Sequence, residues 1–487
     1  MVDLIGLNDK RTWDNSSYDI WTPETAIRKI DLVTRARAAF TREWGYNDNV
    51  LFLQVPGRTE TGWINHGDYC GLETIVAAIE NGLIGAISPR NDRKARIHSE
   101  GYGTIEYDLD NPDSLNPERF KAKGMGWGKY AATVLRRLKK NFDISKGYDM
   151  AITSDLPADA GLSTSSAMII LNTLSAIVAN NLEQNAKFKS KIPTVEDLVL
   201  YTGCIENGNT YKEGTAQELE GETGVGSDGG SQDHAVIMLA EGGFFTNFLT
   251  APEFRLIEKI LFPQEWVIVL GYSGVKANKS EGEGREAYNS CSGRAAEFLA
   301  GYNHHHSAEF VTIGDLIRRL REVGKEKILE YAKAPFEEVP ANDKRKLVDR
   351  FRHSLYGTLG TDDGLSVETF KQALRNKDID AVGRHLRAAH ILSKRYLWNT
   401  VPEMSAVSMA LQFAGGQPTV VDGAGFAGYV FSVAHVDDVK SVVQGAEHYL
   451  KTNHGIDPRF IITRPCYGLS TLFIRSMPQI SRYLPNR

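Results

Sequence analysis

The residues best suited to chemistry lie together in Pro157-Ala158-Asp159-Ala160-Gly161-Leu162-Ser163-Thr164-Ser165-Ser166-Ala167, which runs straight into the apolar stretch Met168 to Val178. This order predicts a loop that opens a helix and holds phosphate. Gly161 accepts backbone angles closed to other residues and lets a ligand approach the main chain. The hydroxyls of Ser163, Thr164 and Ser165 stand where the first amides of a helix lack partners. Unpaired N–H groups and the helix dipole favour bound anions there, and a nucleoside triphosphate would suit the site. The same residues also describe an ordinary Ser-rich N-cap, so what else converges on the loop decides between the two.

Several polar groups are candidates to converge. Leu51 to Val55 reads as a short apolar strand that runs into Pro56-Gly57-Arg58, presenting Arg58 at a strand end. Eight positions on come His66-Gly67-Asp68-Tyr69 in a Gly-containing turn. Taken alone, Arg58, His66 and Asp68 also fit a solvated loop ion-pair cluster. Asp233 sits just before the apolar run Ala235 to Ala240, where an N-cap worth about 1 kcal/mol is the alternative role. Glu206 ends a helix predicted over Val195 to Asn207, and the segment Gly208 to Gly230 that follows is long enough to be functional or mobile. His304, His305 and His306 point in different directions on a helix, so no shared metal is expected from them.

The bulk composition narrows the class. With 487 residues, 42% hydrophobic and 24% charged, the chain reads as globular and too long for one core. A boundary near Pro263 divides it into 1–262, with the phosphate loop, and 263–487. A net charge of -5 gives no basis for nucleic-acid or membrane attraction. The four cysteines, Cys70, Cys204, Cys291 and Cys466, form no CxxC pair and fit a reducing cytosol. A signal peptide and a membrane span are not expected, since Met1 to Trp13 is interrupted by charge and no apolar run approaches 18 residues.

The elements that must position these groups follow in order. Residues 1 to 26 read as an irregular arm, with a helix from about Pro23 to Trp44. Ile79 to Arg96 reads as a strand pair turning at Ser88-Pro89-Arg90-Asn91-Asp92, and a helix opens at Trp127 to Tyr130 and runs through Leu138. A strand from Tyr148 to Leu156 feeds the phosphate loop. Trp266 to Leu270 is a buried strand, Ser280 to Leu299 a helix, and Phe370 to Tyr396 a second helical tract. Val421-Asp422-Gly423-Ala424-Gly425-Phe426-Ala427-Gly428-Tyr429-Val430 is either a hairpin turn or a Gly-rich loop able to pack closely on the phosphate loop.

Taken together, these stretches resemble the GHMP kinase superfamily, and galactokinases in particular, from about residue 28 onward. Val55 to Gly71 is similar to the sugar signature that runs Pro-Gly-Arg and then Gly-Glu-His-Thr-Asp-Tyr. It carries one extra residue between Arg58 and His66, and Asn65 in the Glu position. The phosphate loop is similar to Gly-Leu-Ser-Ser-Ser. Gly230-Ser231-Gln232-Asp233-His234 resembles Gly-x-Met-Asp-Gln, and Val421 to Val430 the third family motif. Tyr288-Asn289, Cys291, Arg294, Gly383 to His390 and Val401 to Met404 match galactokinases more closely than other members.

The resemblance implies a two-lobed α+β fold, with a ribosomal protein S5 domain 2-like N-terminal lobe and a ferredoxin-like C-terminal lobe. It further implies an ATP- and Mg²⁺-dependent sugar 1-kinase, a monomer or small homo-oligomer whose ligands are a sugar and ATP. On this reading Gly161, Leu162, Ser163, Thr164, Ser165 and Ser166 cradle the phosphates, and Ser165 and Glu206 hold Mg²⁺. Asp233 meets the sugar hydroxyl beside Arg58, either as base or as an orienting group. Asn65, His66, Asp68, Gly230 and Tyr288 contact the sugar. Losing the carboxylate at Asn65 predicts altered selectivity at the C6 end, with arabinose or galacturonate competing with galactose, unless Glu60 or Glu73 replaces the group. A catalytically silent sugar sensor and a kinase of a non-sugar alcohol are the competing readings.

Overall fold

The computed structural model describes residues 23–122, 125–157, 161–276 and 282–472. The predicted arm up to residue 22 lies outside them, as do Ala158, Asp159 and Ala160 of the phosphate loop.

Two β-sheets organise the described chain. The first contains β1 (Leu51–Glu60), β2 (Thr74–Pro89), β3 (Lys94–Ser99), β4 (Gly103–Asp108), β5 (Tyr148–Ser154), β6 (Phe244–Leu249) and β7 (Arg255–Leu261). The second is antiparallel and contains β8 (Trp266–Tyr272), β9 (Val420–Val421), β10 (Tyr429–His435) and β11 (Phe460–Thr463), ordered β11-β8-β10-β9. The chain then returns: β12 (Pro465–Cys466) pairs with β2, and β13 (Ser470–Leu472) with β1. Division by sheet is therefore not a single cut in the chain, although β7 and β8 flank Pro263.

Alternation along the first sheet feeds two different layers. On one face, Phe52, Ile84, Ala86 and Ala151 pack against Leu32, Val33, Ala36 and Phe40 of the helix Pro23–Trp44. On the other, Leu53, Val55, Leu83, Ile87 and Met150 meet the helix Thr164–Asn180. That helix is buried nearly all round, as its continuous apolar sequence requires. Gly85 leaves room for it, because a Cβ there would lie 2.8 Å from Leu171. Each such buried Leu or Ile is worth about 1.5–3 kcal/mol.

One pairing differs from the expectation. β2 and β3 form as predicted, but they are not neighbours, because β5 lies between them, antiparallel to β2 and parallel to β3. Asp149 on β5 reinforces the placement. Its carboxylate accepts from Arg90 in the turn (3.1 Å) and from Arg96 on β3 (2.7 Å), so the two cations hold the strand between them. The predicted helical tract from Phe370 is likewise two helices, Val367–Arg375 and Ile379–Leu392, capped in turn by Ser366 and Asp378.

A second core joins the two sheets. Ile75, Ala77 and Phe245 pack with Ile268, Leu270 and Phe431, and helices Gly282–His306 and Ala341–Leu359 close over them through Phe298 and Phe351, whose rings stack at 4.6 Å. Lys371, nearly buried, ties the layers by pairing with Glu73 (2.9 Å), Glu258 (3.0 Å) and Glu368 (2.8 Å). Glu73 is thereby committed to this junction and is not the substitute for the sugar-site carboxylate.

The helix Ile313–Leu320 presses Gly314 against the end of the turn that carries His66 and Asp68. A Cβ on Gly314 would lie 2.0 Å from the Gly71 carbonyl oxygen. Gly314→Ala is expected to cost about 1–3 kcal/mol, the range for overpacking a close contact. Urea unfolding of the two proteins measures it.

Candidate active site

Arg58 is the residue around which the site is built. A register shift in β1 between Pro56 and Gly57 turns the strand where it passes the phosphate loop. Gly57 permits the approach, since a Cβ there would lie 2.6 Å from Leu156 and 3.0 Å from the Leu162 oxygen. The Arg58 amide donates to the Leu162 oxygen (3.3 Å), and its guanidinium Nη1 to the Gly161 oxygen (2.7 Å). The remaining arms grip Asp233, Nε to Oδ1 at 2.5 Å and Nη2 to Oδ2 at 3.1 Å. Burial opposes the Arg58 charge, yet Asp233, Glu60 and Asp422 outweigh it and push the pKa above its ordinary value.

Asp233 lies in the first turn of the helix Gln232–Leu239, whose N-cap is Ser231. The capping alternative is therefore excluded: the carboxylate turns to Arg58 and to the Ser163 hydroxyl, which donates to Oδ2. Ser163 itself sits at φ 61° and makes no side-chain cap bond. Its hydroxyl serves Asp233 rather than the helix, which rejects the plain Ser-cap reading as well.

Further into the same helix start, the Ser166 hydroxyl donates to Glu206 (2.7 Å), and the Ser165 hydroxyl lies close enough to the same carboxylate to favour its ionised form. His234 Nε2 lies 3.0 Å from Glu206. Burial works against ionisation of Glu206, but His234 and the two hydroxyls prevail and hold its pKa below the usual value. An ionised carboxylate beside Ser165 offers the hard oxygen donors that Mg²⁺ prefers, so the residues present fit that ion. Thr164 is turned away, donating to the Pro157 oxygen (3.2 Å).

Two adjoining cavities share Gly230, Asp233 and Tyr288. The smaller, about 250 Å³, runs from Asp233 past Ser166 and Glu206 to Asn207 and Ser227. The larger, about 340 Å³, is lined by Arg58, Glu60, Asn65, His66, Asp68, Gly230, Gln232, Asp233, Tyr288, Gly423 and Ala424. All the predicted sugar-contact residues therefore face one cavity. Asp68 abuts Gly230, where a Cβ would lie 2.3 Å from Oδ2. Burial raises the Asp68 pKa, with Asp233 adding to it, and burial keeps Tyr288 a neutral phenol.

The Gly-rich loop after β9 closes the cavity floor. Asp422 Oδ1 accepts from the Glu60 amide (2.9 Å) and the Thr59 hydroxyl (3.1 Å). His66 Nε2 reaches the Ala424 oxygen at 2.9 Å and Asn65 Nδ2 the Gly423 oxygen at 2.5 Å. Gly423, at φ 61°, would place a Cβ 2.6 Å from the Gly161 oxygen, so this loop does pack on the phosphate loop.

Three participants carry no signal of their own in the sequence. Gln232 falls inside a motif but at a position where the motif has Met. Asn399 reaches both Asn65 Oδ1 (2.5 Å) and the Ala424 oxygen (2.9 Å) because Trp398 before it adopts φ 56° and reverses the chain. Arg350, buried on the helix Ala341–Leu359, donates to the His66 oxygen (2.6 Å) and the Cys70 sulfur (2.8 Å), fixing the turn from behind. The segment Gly208 to Gly230 folds back on itself: Val225 N donates to the Glu206 oxygen (2.8 Å), and Tyr211 pairs with Leu219. Arg137 holds it through the Asn209 (2.8 Å) and Leu219 (3.2 Å) oxygens, and its last residues wall the smaller cavity.

This architecture, two sheets with a phosphate-type loop and an Asp–Arg pair at their junction, is the two-lobed GHMP kinase fold. Within it the chain is galactokinase-like. It is 24% identical over 430 residues to the galactokinase of Clostridium acetobutylicum, covering 86% of this chain and 94% of that one. Over 154 residues, 30% of the chain, it is 32% identical to the galactokinase of Clostridium perfringens. Lactococcus lactis galactokinase complexed with galactose superposes with a TM-score of 0.67 at 19% identity, over 90% of this chain and 99% of the other. Mevalonate kinase of Methanococcus jannaschii gives 0.52 at 14%, over 86% and 99%. No family model matches the chain. Among the described residues no helix is long and apolar enough to cross a membrane.

Gly423→Ala tests the closure of the two loops. Its positive φ and the contact with Gly161 predict a loss of about 1–3 kcal/mol of stability. Thermal unfolding reads the loss, and weaker protection by ATP should accompany it.

Proposed function

We propose that the protein is an ATP-dependent sugar 1-kinase that transfers the γ-phosphoryl group of ATP to the anomeric hydroxyl of galactose or a related neutral aldose. The observation that carries the reading is the contact of Ser163, Asp233 and Arg58, which puts one carboxylate at the wall between a polar cavity and a phosphate-type helix start. The similarity to galactokinases over most of the chain supports it.

Phosphoryl transfer is catalysed mainly by alignment and charge stabilisation. The Gly161 to Ser166 segment would hold the β- and γ-phosphates. Ser165 and Glu206 would hold Mg²⁺, which neutralises charge on the phosphate oxygens. Asp233 accepts the hydrogen of the anomeric hydroxyl and aims its oxygen at the γ-phosphorus. The new O–P bond forms as the bond to the bridging β,γ-oxygen breaks, and ADP leaves. In a loose transition state the hydroxyl proton moves late. A carboxylate fixed by two Arg58 bonds suits that timing, so Asp233 orients first and receives the proton last. Arg58 meanwhile offsets charge on the transferring group.

A coupled ADP-release assay over neutral aldoses, with the product read by phosphorus NMR, is expected to give sugar-dependent turnover and an anomeric phosphate. Asp233→Asn should lower kcat by roughly 10²–10⁴-fold, the usual worth of a positioned acid or base, with sugar binding retained. Sugar binding without ADP release in the unaltered protein would refute the kinase and leave a sugar sensor.

A further inference from the structure

Two of the departures from the sugar and Asp motifs meet at one side chain. Asn65 stands where the resembled signature has Glu, and Gln232 where it has Met. Asn65 Nδ2 donates to one carboxyl oxygen of Glu60 and Gln232 Nε2 to the other. We propose that Glu60, held between these amides, is the specificity-determining residue of the larger cavity, selecting neutral aldoses and rejecting uronic acids. The location, though not the selectivity, rests on the sugar-kinase reading.

Each amide is fixed in the same sense. Asn65 Oδ1 already accepts from Asn399, so its Nδ2 is the end available to Glu60. Gln232 directs its Nε2 to Glu60, which leaves Oε1 buried and without a protein partner in a side chain that lines the cavity. A buried acceptor in that setting calls for a donor, which a sugar hydroxyl has and a carboxylate lacks.

Charge acts in the same direction. Glu60, Asp68 and Asp233 face this cavity and Asp422 lies beneath it, against one guanidinium, Arg58, that Asp233 already grips. Among the described residues lining the cavity no permanent cation is left to meet the further negative charge of a uronate, and like charges brought together are rejected. Burial, with Asp422 and Asp233 adding and Arg58 opposing, pushes the Glu60 pKa up to about 8. As pH rises through about 8 the negative charge on Glu60 builds up, so sugar affinity falls.

Calorimetric titration of the full chain without nucleotide, using galactose, arabinose and galacturonate as probes, tests the assignment. Galactose or arabinose should bind at least a hundredfold more tightly than galacturonate, and more weakly at pH 9 than at pH 7. Glu60→Gln should abolish the pH dependence and narrow the gap to galacturonate. Gln232→Met should weaken neutral-sugar binding about tenfold. Galacturonate bound as tightly as galactose, no binding of either neutral sugar, or an unaltered pH profile in folded Glu60→Gln would each overturn it. If a variant fails to fold, the sugar ratio and pH dependence of the unaltered protein still decide. Binding is read without turnover, so loss of the kinase reading alone would leave this selectivity standing.

Discussion

The structure depends on burying one guanidinium. Arg58 is 2% exposed, and a permanent charge removed from water must be compensated at short range. Its compensation comes from three parts of the chain at once: Asp233 on one helix start, the Gly161 carbonyl of the phosphate loop, and the surrounding field of Glu60 and Asp422. None of these can move away without stranding the charge. The cation therefore does for the site what a bound ligand would do in a looser protein, setting the distance between sugar cavity and phosphate loop before either substrate arrives.

That constraint explains what was legible in the sequence. The strand, loop and helix around Gly161 follow from local signals: apolar content, a glycine, a run of hydroxyls. The helix Val195–Asn207 was readable to the residue because Thr194 caps it and Gly208 stops it at φ 87°. Convergence was not local. Arg58 and Asp233 lie 175 positions apart, and resemblance, not periodicity, brought them together. The direct β2–β3 pairing was not realised for the same reason, since β5, which lies between them, enters the sheet from more than 50 positions further along the chain.

The readings left open at Ser163 and Asp233 turn on competition for hydrogen bonds. Ser and Asp at a helix start ordinarily satisfy orphan amides. Here the Ser163 hydroxyl makes no cap bond and donates to Asp233 instead. Giving up a cap worth about 1 kcal/mol makes sense where the freed group has other work, and it separates this loop from a structural Ser-rich turn. Glu60 was legible as an option, but Gln232 was not, because a glutamine in a helix start carries no signal until the buried acid it serves is known.

The supports behind the cavity show how a rigid site is made from turns. His66 has φ 57° and would be costly to hold in an isolated loop. It is fixed on three sides: Tyr69 Oη at Nδ1 (2.9 Å), the Ala424 oxygen at Nε2 (2.9 Å), and Arg350 on its own carbonyl (2.6 Å). Those partners come from the turn itself, from the Gly-rich loop of the second sheet, and from a helix of the second half. The sugar cavity is thus defined only when both sheets are docked. The apolar junction of Ile75, Phe245, Leu270 and Phe431 and the Lys371 cluster are accordingly part of the site's construction, because any slip between the sheets would misplace His66 and Gly423 together.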